Sequence, residues 1–523
     1  MINKVALNTN NKSYANNNKS NTSFKGLGDI VLSGIQVCER NPMLNVAVLD
    51  FSTAIIPRTA VESKTNAHAG FEAFRRESSG LLINCMIPGF VALGFGKLFN
   101  NHILGKKSDL STCWAGNKTI DTLADVYNNT EGDCRTKVKE SYKKILTNLN
   151  GIDGDKTKAF KDFAELDIEN TAEKLTEQVF NPNNAGKEID RIYQSVADVT
   201  HITENISLKS TEGKVTKLDG NLKSLFKDSQ KFFKGVAKEG LTEKVQVNDF
   251  ASKAKKLVGA KSVAALAVIL PLAASMQYIN RKITSKRSGE DGAPIYEDYA
   301  KKQSTEQEIY QEKFAPKTKS KDGLLLQKFI SIGTMVGVAL LSMMKKPSLA
   351  NFKEMMQFKG QFPTMDQARA ISTVTFASRM AVADDKNELA EATLRDVATF
   401  SSFYFLGDYA AKGTASLLEK KHGITLLNRK KTLPEDAGML KKFGNWVVNT
   451  SMKASDELAT SKAKNLRGAC QLANLGASLV LLGILIPLYG RHQTKIKHDR
   501  DKKFQSAMQN YAIDNNLAMQ KMK

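Results

Sequence analysis

The stretch AVILPLAASMQYINRK, Ala267 to Lys282, ends an apolar run that carries a proline and then turns abruptly basic. From Ser262 to Tyr278 no residue is charged. Lys253, Lys255, Lys256 and Lys261 precede the run, and Arg281, Lys282, Lys286 and Arg287 follow it. A helix rises about 1.5 Å per residue, so roughly 20 residues cross the hydrocarbon of a bilayer, and lysines at the ends can snorkel to the interface. A helix that packs on one face in water shows charges every third or fourth residue, and here there are none over four turns. The pattern therefore predicts a membrane-spanning helix rather than a buried core helix.

Other runs read the same way. ACQLANLGASLVLLGILIPLY, Ala469 to Tyr489, is uncharged between Arg467 and Arg491 and long enough to cross untilted. GLLINCMIPGFVALGFGKLF from Gly80 and FISIGTMVGVALLSMM from Phe329 are further candidates, joined by the shorter MLNVAVLDFSTAIIP and VATFSSFYFLGDYAA. Glycines inside the runs, such as Gly333, Gly337, Gly476 and Gly483, weaken a helix in water but allow close approach of helices in lipid.

Length and charge fit this frame. The 523 residues exceed what one hydrophobic core serves, so more than one structural unit is expected. Lysine plus arginine number 76 against 54 acidic residues, a formal +22. That excess points to nucleic acid, to anionic lipid headgroups or to positively biased membrane loops. The polar stretch 109–256 holds about 24 basic and about 24 acidic residues, so the largest soluble-looking region is neutral, which argues against a nucleic-acid module. Five scattered cysteines without CxxC spacing read as isolated thiols, although Cys113 and Cys134 would be able to pair in an oxidising compartment. The tract NTNNKSYANNNKSNTS near the amino terminus lacks the apolar core of a secretory signal.

Two echoes suggest an internal repeat. With Pro271 laid on Pro487, Ser262 falls on Ser478, Leu266 on Leu482, Leu272 on Leu488 and Gln277 on Gln493. Independently, EAFRRE at Glu72 matches EATLRD at Glu391, and upstream RTAV at Arg58 resembles RMAV at Arg379. The two echoes differ in offset as they would if the neutral region had been inserted into the first half alone.

The chain then divides into a disordered Asn/Ser/Lys-rich segment 1–25, an apolar helical first half 26–108, a soluble helical insert 109–256, an apolar helix 257–290 completing the first half, a polar linker 291–323, an apolar helical second half 324–490, and a basic tail 491–523. The second half would begin with the run at Phe329. Within the insert, LDGNLKSLFKDSQKFFKGV sets Leu218, Leu222, Leu225, Phe226, Phe233 and Val236 on one side of a helix with charges opposite, and FNPNN at Phe180 is a helix stop.

Catalytic signatures are missing. GIDGDKTKAFKDFAE resembles a calcium loop at Asp153 and Asp155, but Lys158 occupies the turn position and Glu165 falls one residue late. GLGDIV at Gly26 and GVAKEGLT at Gly235 lack the residues a phosphate loop needs, and the six histidines show no metal-ligand spacing. No enzyme, cofactor or metal is expected. The remaining candidates are ionisable residues in or beside apolar runs: Asp50, Arg58, Arg379 and Asp408, each arginine a natural partner for a carboxylate. The i, i+4 pairs Glu72–Arg76 and Glu391–Arg395 read as helix-stabilising.

The expectation is an all-α, polytopic helical membrane protein with a polar helical insert and a possible two-fold repeat, acting as a carrier or membrane scaffold. Its surroundings would be a lipid bilayer with anionic headgroups, without nucleic acid. The alternative is a membrane-anchored structural or interaction protein whose insert binds a protein partner.

Overall fold

The structure, a computed structural model, describes the chain from Pro42 to His492 apart from 289–322, 344–354 and short breaks at 65–66, 154–155, 159–165, 182–184, 201, 204–205, 210–214, 384–385, 430–432, 435, 454–456, 459 and 490–491. The segment 1–25, nearly all of the linker 291–323 and the tail beyond His492 lie outside the described residues.

Helices dominate. α1 comprises Pro42–Leu49, a π-helical stretch Asp50–Ile55 and Ile56–Ser63; α2 comprises Ala67–Leu81, a π-helical stretch Leu82–Met86 and Ile87–Ile103. After the insert come α8, Lys244–Ser288, α9, Leu324–Met343, and α10, Met365–Ala381. α11 comprises Lys386–Ser401, a π-helical stretch Ser402–Leu406 and Gly407–His422. α13 runs from Ser461 through a π-helical stretch Leu479–Leu485 to Tyr489. Five helical segments among the described residues are long and apolar enough to cross a membrane: Met43–Ser63, Gly70–Ile103, Lys244–Arg287, Leu324–Met343 and Ser461–Tyr489. The run VATFSSFYFLGDYAA lies in α11, which is not one of them.

Three of the π-helical stretches have a local cause. Pro57, Pro88 and Pro487 each sit two residues beyond one, so the carbonyl four residues upstream, on Thr53, Asn84 or Gly483, belongs to the widened turn. A proline ring clashes with that carbonyl in a regular α-helix, and the wider turn moves it away. Pro271 differs: α8 continues through it without a π-helical stretch, so the prolines of α8 and α13 are accommodated differently.

The polar stretch 109–256, read above as an insert, packs around a hydrophobic cluster that runs from Leu110 to Val258. It contains α3, Asn117–Asn128, α4, Cys134–Asn148, α5, Ile168–Phe180, α6, Ala185–Thr200, and α7, Leu222–Glu239. α7 has the periodicity read from the sequence, with Leu222, Leu225, Phe226, Phe233 and Val236 buried; Asn221 and Ser224 form a reciprocal N-terminal cap, and Gly240 (φ 67°) ends it in the left-handed region. Phe233 packs edge-on against Tyr142, 5.2 Å between ring centres. The departure from an all-helical insert is a four-stranded antiparallel sheet. It is built of β1, Leu149–Asp153, β2, Lys156–Lys158, β3, Ile206–Lys209, and β4, Val215–Lys217, in the order β2-β1-β3-β4. Of the calcium-like segment, the described residues 151–153 and 156–158 belong to the paired strands β1 and β2. Cys113 and Cys134 stand as free thiols, and burial pushes the Cys113 thiol up to about 12.

α8 joins insert and bundle. Its 45 residues extend about 70 Å, more than twice the hydrocarbon thickness. Val247, Phe250, Ala254 and Val258 belong to the insert core, whereas Ala265, Leu266, Ile269 and Ala273 pack on α2 and α10. At the junction the fully buried Lys261 donates to the carbonyls of Ser111 (2.8 Å) and Cys113 (2.6 Å) and lies 3.7 Å above the Trp114 ring.

Among the described residues the bundle helices form a cycle of contacts: α1 packs on α2, α2 on α8, α8 on α10, α10 on α11, α11 on α13, and α13 returns to α1. α9 lies across α10 and α11. Small side chains line the interfaces, Ala411 and Ala415 facing Ala463 and Cys470 between α11 and α13. A Cβ on Gly483 would meet the Thr53 carbonyl oxygen at 2.9 Å, so α13 and α1 approach backbone to backbone. At the far end of α11, β5, Leu427–Arg429, pairs antiparallel with β6, Thr450–Met452, and α12, Met439–Asn449, lies between them in sequence.

Candidate functional site

Two helical hairpins, α1–α2 and α10–α11, meet around a cavity of about 30 Å³, room for a water or two. The first hairpin supplies Asp50, Arg58 and Glu77, the second Arg379, Asp396 and Tyr404. Each hairpin contains an arginine near the end of its first helix and a carboxylate early in its second, so folding the hairpin brings the two together. Arg58 Nη1 lies 3.2 Å from Glu77 Oε2, and Arg379 Nη1 lies 2.6 Å from Asp396 Oδ1. A second arginine flanks each carboxylate along the chain: Arg76 at 3.6 Å from Glu77 and Arg395 at 3.5 Å from Asp396.

These groups are withdrawn from water. Arg58 is 6 % exposed, Arg379 9 % and Asp396 0 %. Isolated ions would pay a large desolvation penalty there, so pairing is obligatory. The hairpins are also linked to one another: Arg58 Nη2 donates to Thr399 Oγ1 at 3.0 Å, and Thr375 Oγ1 donates to Asn84 Oδ1 at 3.2 Å. Hydrogen-bonding capacity remains. Arg58 Nε, Arg379 Nε and Asp396 Oδ2 are buried and have no hydrogen-bond partner among the described residues.

Three π-helical stretches converge on the cavity, contributing Asp50 from α1, Cys85 from α2 and Tyr404 from α11. A π turn rotates the residues beyond it and frees backbone groups, which is why such turns recur at functional sites. Ser372 and the Tyr404 hydroxyl share a 2.9 Å hydrogen bond that ties α10 to α11 there.

Of the residues singled out in the sequence, the structure brings Asp50, Arg58 and Arg379 to this one cavity. Neither arginine serves as the ion-pair partner expected for Asp50 or Asp408: each takes the carboxylate of its own hairpin. Asp408 lies elsewhere, half-exposed, and pairs with Lys412 one turn along α11 at 2.6 Å. Glu77 and Asp396, the last residues of the two echo motifs, hold the arginines there, a role that the i, i+4 spacing assigned to Glu72 and Glu391. Instead, Glu72 accepts from Thr284 at 2.6 Å and stands 4.0 Å from Arg75. Among the described residues there is no group of His, Cys, Asp and Glu arranged to hold a metal ion.

Comparison with family models, with curated proteins and with solved structures finds no match.

Proposed function

We propose that the chain is a multi-pass membrane protein built by internal duplication, and that the buried ion cluster is the operating site of a carrier. The observation that carries this reading is the correspondence of the two hairpins at the cavity: Arg58 with Arg379, Glu77 with Asp396, and Arg76 with Arg395 occupy like places. Further support comes from packing, since α8 lies along α2 as α13 lies along α11. The unit following α1 and α2 is thus α8, and that following α10 and α11 is α13. In this scheme α10 is the counterpart of α1, and α9, with the run at Phe329, is an addition. The π-helical stretch of α11 has no proline after it, yet falls at nearly the same distance beyond the carboxylate as that of α2.

In this reading the two units, whose hairpin ends lie at the same cavity, run parallel and are related by an axis along the membrane normal. The ion network then closes the bundle at one end. A carrier must open such a closure in turn with another, and matched ion pairs that exchange partners across the interface provide one that can be broken reversibly. Exposed apolar side chains on α9, including Leu325, Phe329, Ile330 and Leu341, at 60 % exposure or more, suit a lipid-facing surface.

The test is solute flux. Proteoliposomes bearing the purified chain are screened by osmotic swelling with a panel of small solutes, alongside Asp50→Ala, Arg379→Ala and Asp408→Ala. The carrier reading expects flux that the first two lose and the third, lying outside the cavity, retains. An absence of flux across the panel, with the chain fully incorporated, argues for the second reading: an anchored interaction protein. What favours that alternative is the independent core of the insert, from Leu110 to Val258.

A further inference from the structure

α12 is an 11-residue helix, and none of its residues is buried. On a helical wheel Met439, Leu440, Phe443, Trp446 and Val447 fall on one side, with Lys441 and Asn445 opposite. The amino-terminal part of that side is open, with Met439 86 % exposed, Leu440 87 % and Phe443 61 %, whereas Trp446 and Val447 further along are half-buried. Leu417 on the adjoining face of α11, 71 % exposed, extends the patch.

The position of this helix identifies what covers it. Trp446 is anchored on α11, its indole Nε1 donating to Ser416 Oγ at 3.2 Å, with Tyr409 and Phe443 as neighbouring rings at 6.2 and 6.1 Å. Ser416 precedes the cationic end of α11 at Lys420 and Lys421, and the first turn of the apolar α13, which carries Lys462 and Lys464, packs on α11 through Ala463. α12 therefore sits where apolar helices give way to the lysines at their ends. An aromatic cluster, an apolar face and flanking lysines at that level are the features of a helix lying in a membrane interface.

We propose that α12 lies in the plane of an anionic leaflet, with Met439, Leu440 and Phe443 at the boundary of the acyl chains and Trp446 at headgroup depth. The lysines at the ends of α11 and α13 supply the charge complementarity to acidic headgroups. This rests on the membrane reading above, and it assigns one surface helix to one leaflet face.

The chain has two tryptophans, Trp114 and Trp446, so the difference between the wild type and Trp446→Phe isolates the emission of Trp446. The full chain is reconstituted into phosphatidylcholine vesicles, with and without phosphatidylglycerol, containing lipids brominated either near the headgroup or near the chain end. Shallow bromines are expected to quench Trp446 at least twofold more than deep ones, and Met439→Glu with Leu440→Glu should remove most of that quenching while incorporation is unchanged. Equal and weak quenching by both lipids, in a chain that floats with the vesicles and resists carbonate, overturns the proposal and leaves the membrane reading intact. A chain that fails to float with the vesicles overturns both. Shallow quenching that is the same without phosphatidylglycerol overturns the assignment to an anionic leaflet.

Discussion

Arg58 and Thr399, 341 residues apart in the chain, share a 3.0 Å hydrogen bond across the seam between the two hairpins. The same guanidinium holds Glu77 with its other terminal nitrogen, Nη1, so one side chain serves the pair within its own hairpin and the contact with the other. Loss of Arg58 therefore affects both.

Removing one member of a buried pair strands the other. Asp396→Ala is expected to destabilise the bundle by about 3–5 kcal/mol, whereas Arg379→Met combined with Asp396→Leu should recover most of that loss. Thermal or denaturant unfolding in detergent checks this. A stable double variant without flux would separate the role of the pair in function from its role in folding.

Gly483 tests the approach of α13 to α1. Gly483→Val places a branched side chain against the Thr53 carbonyl and the Pro57 ring, already 2.9 and 3.1 Å from an added Cβ. Overpacking of this kind costs about 1–3 kcal/mol. The expected outcome is a lower unfolding midpoint, while Gly476→Ala, which meets nothing within 4 Å, should be neutral or slightly stabilising.

Asp228 gives a dependence on pH. It is buried in the insert, its carboxylate accepting from the Trp114 backbone N–H at 3.1 Å, and burial raises its pKa despite Lys231 and Lys261 nearby. A carboxyl group whose pKa is higher folded than unfolded binds more protons in the folded state, so its contribution is favourable at low pH and lost as pH rises through the unfolded and then the folded value. Asp228→Asn keeps the acceptor oxygen and removes the ionisation. The variant is expected to be more stable than the wild type at neutral pH, with the advantage disappearing below about pH 4. A Tm difference independent of pH would contradict this.

The insert should fold without the bundle. Its core is contained between Leu110 and Val258, and Phe233 is at its centre. A fragment 105–260 is expected to give a helical circular dichroism spectrum and a cooperative unfolding transition, and Phe233→Ala to cost about 3–5 kcal/mol in it. A fragment without helix, at concentrations where it stays monomeric, would show that the core depends on the junction at Lys261.

What could be read beforehand follows from what each element buries. The runs at Gly80, Ser262, Phe329 and Ala469 are legible because long uncharged stretches are themselves the signal, and the shorter run at Met43 by its apolarity on both sides of Asp50; each falls in a helix apolar enough to span. α10 was not, because Gln367, Ser372, Thr375, Ser378 and Arg379 are buried in it: a helix packed against polar partners around a cavity has no apolar signature to read. The strands of the insert were hidden for a different reason. LysThrLys and ValThrLys are too short and too polar to show alternation, and their pairing depends on chain reversals rather than on composition. At the site, Arg58 and Arg379 stood out as charges beside apolar runs, yet Glu77 and Asp396 became meaningful only when each hairpin closed and returned the carboxylate to an arginine some 17 to 19 positions upstream.

The unbroken course of α8 has a mechanical consequence. A folded module attached through loops turns freely against its support, but here the last helix of the insert core is the same rod that packs against α2 and α10. With Lys261 clamped over Trp114 at the joint, no swivel remains on that side. Any tilt of α8 within the bundle swings the insert through a proportionate arc, and any load on the insert returns as torque on the bundle's helices.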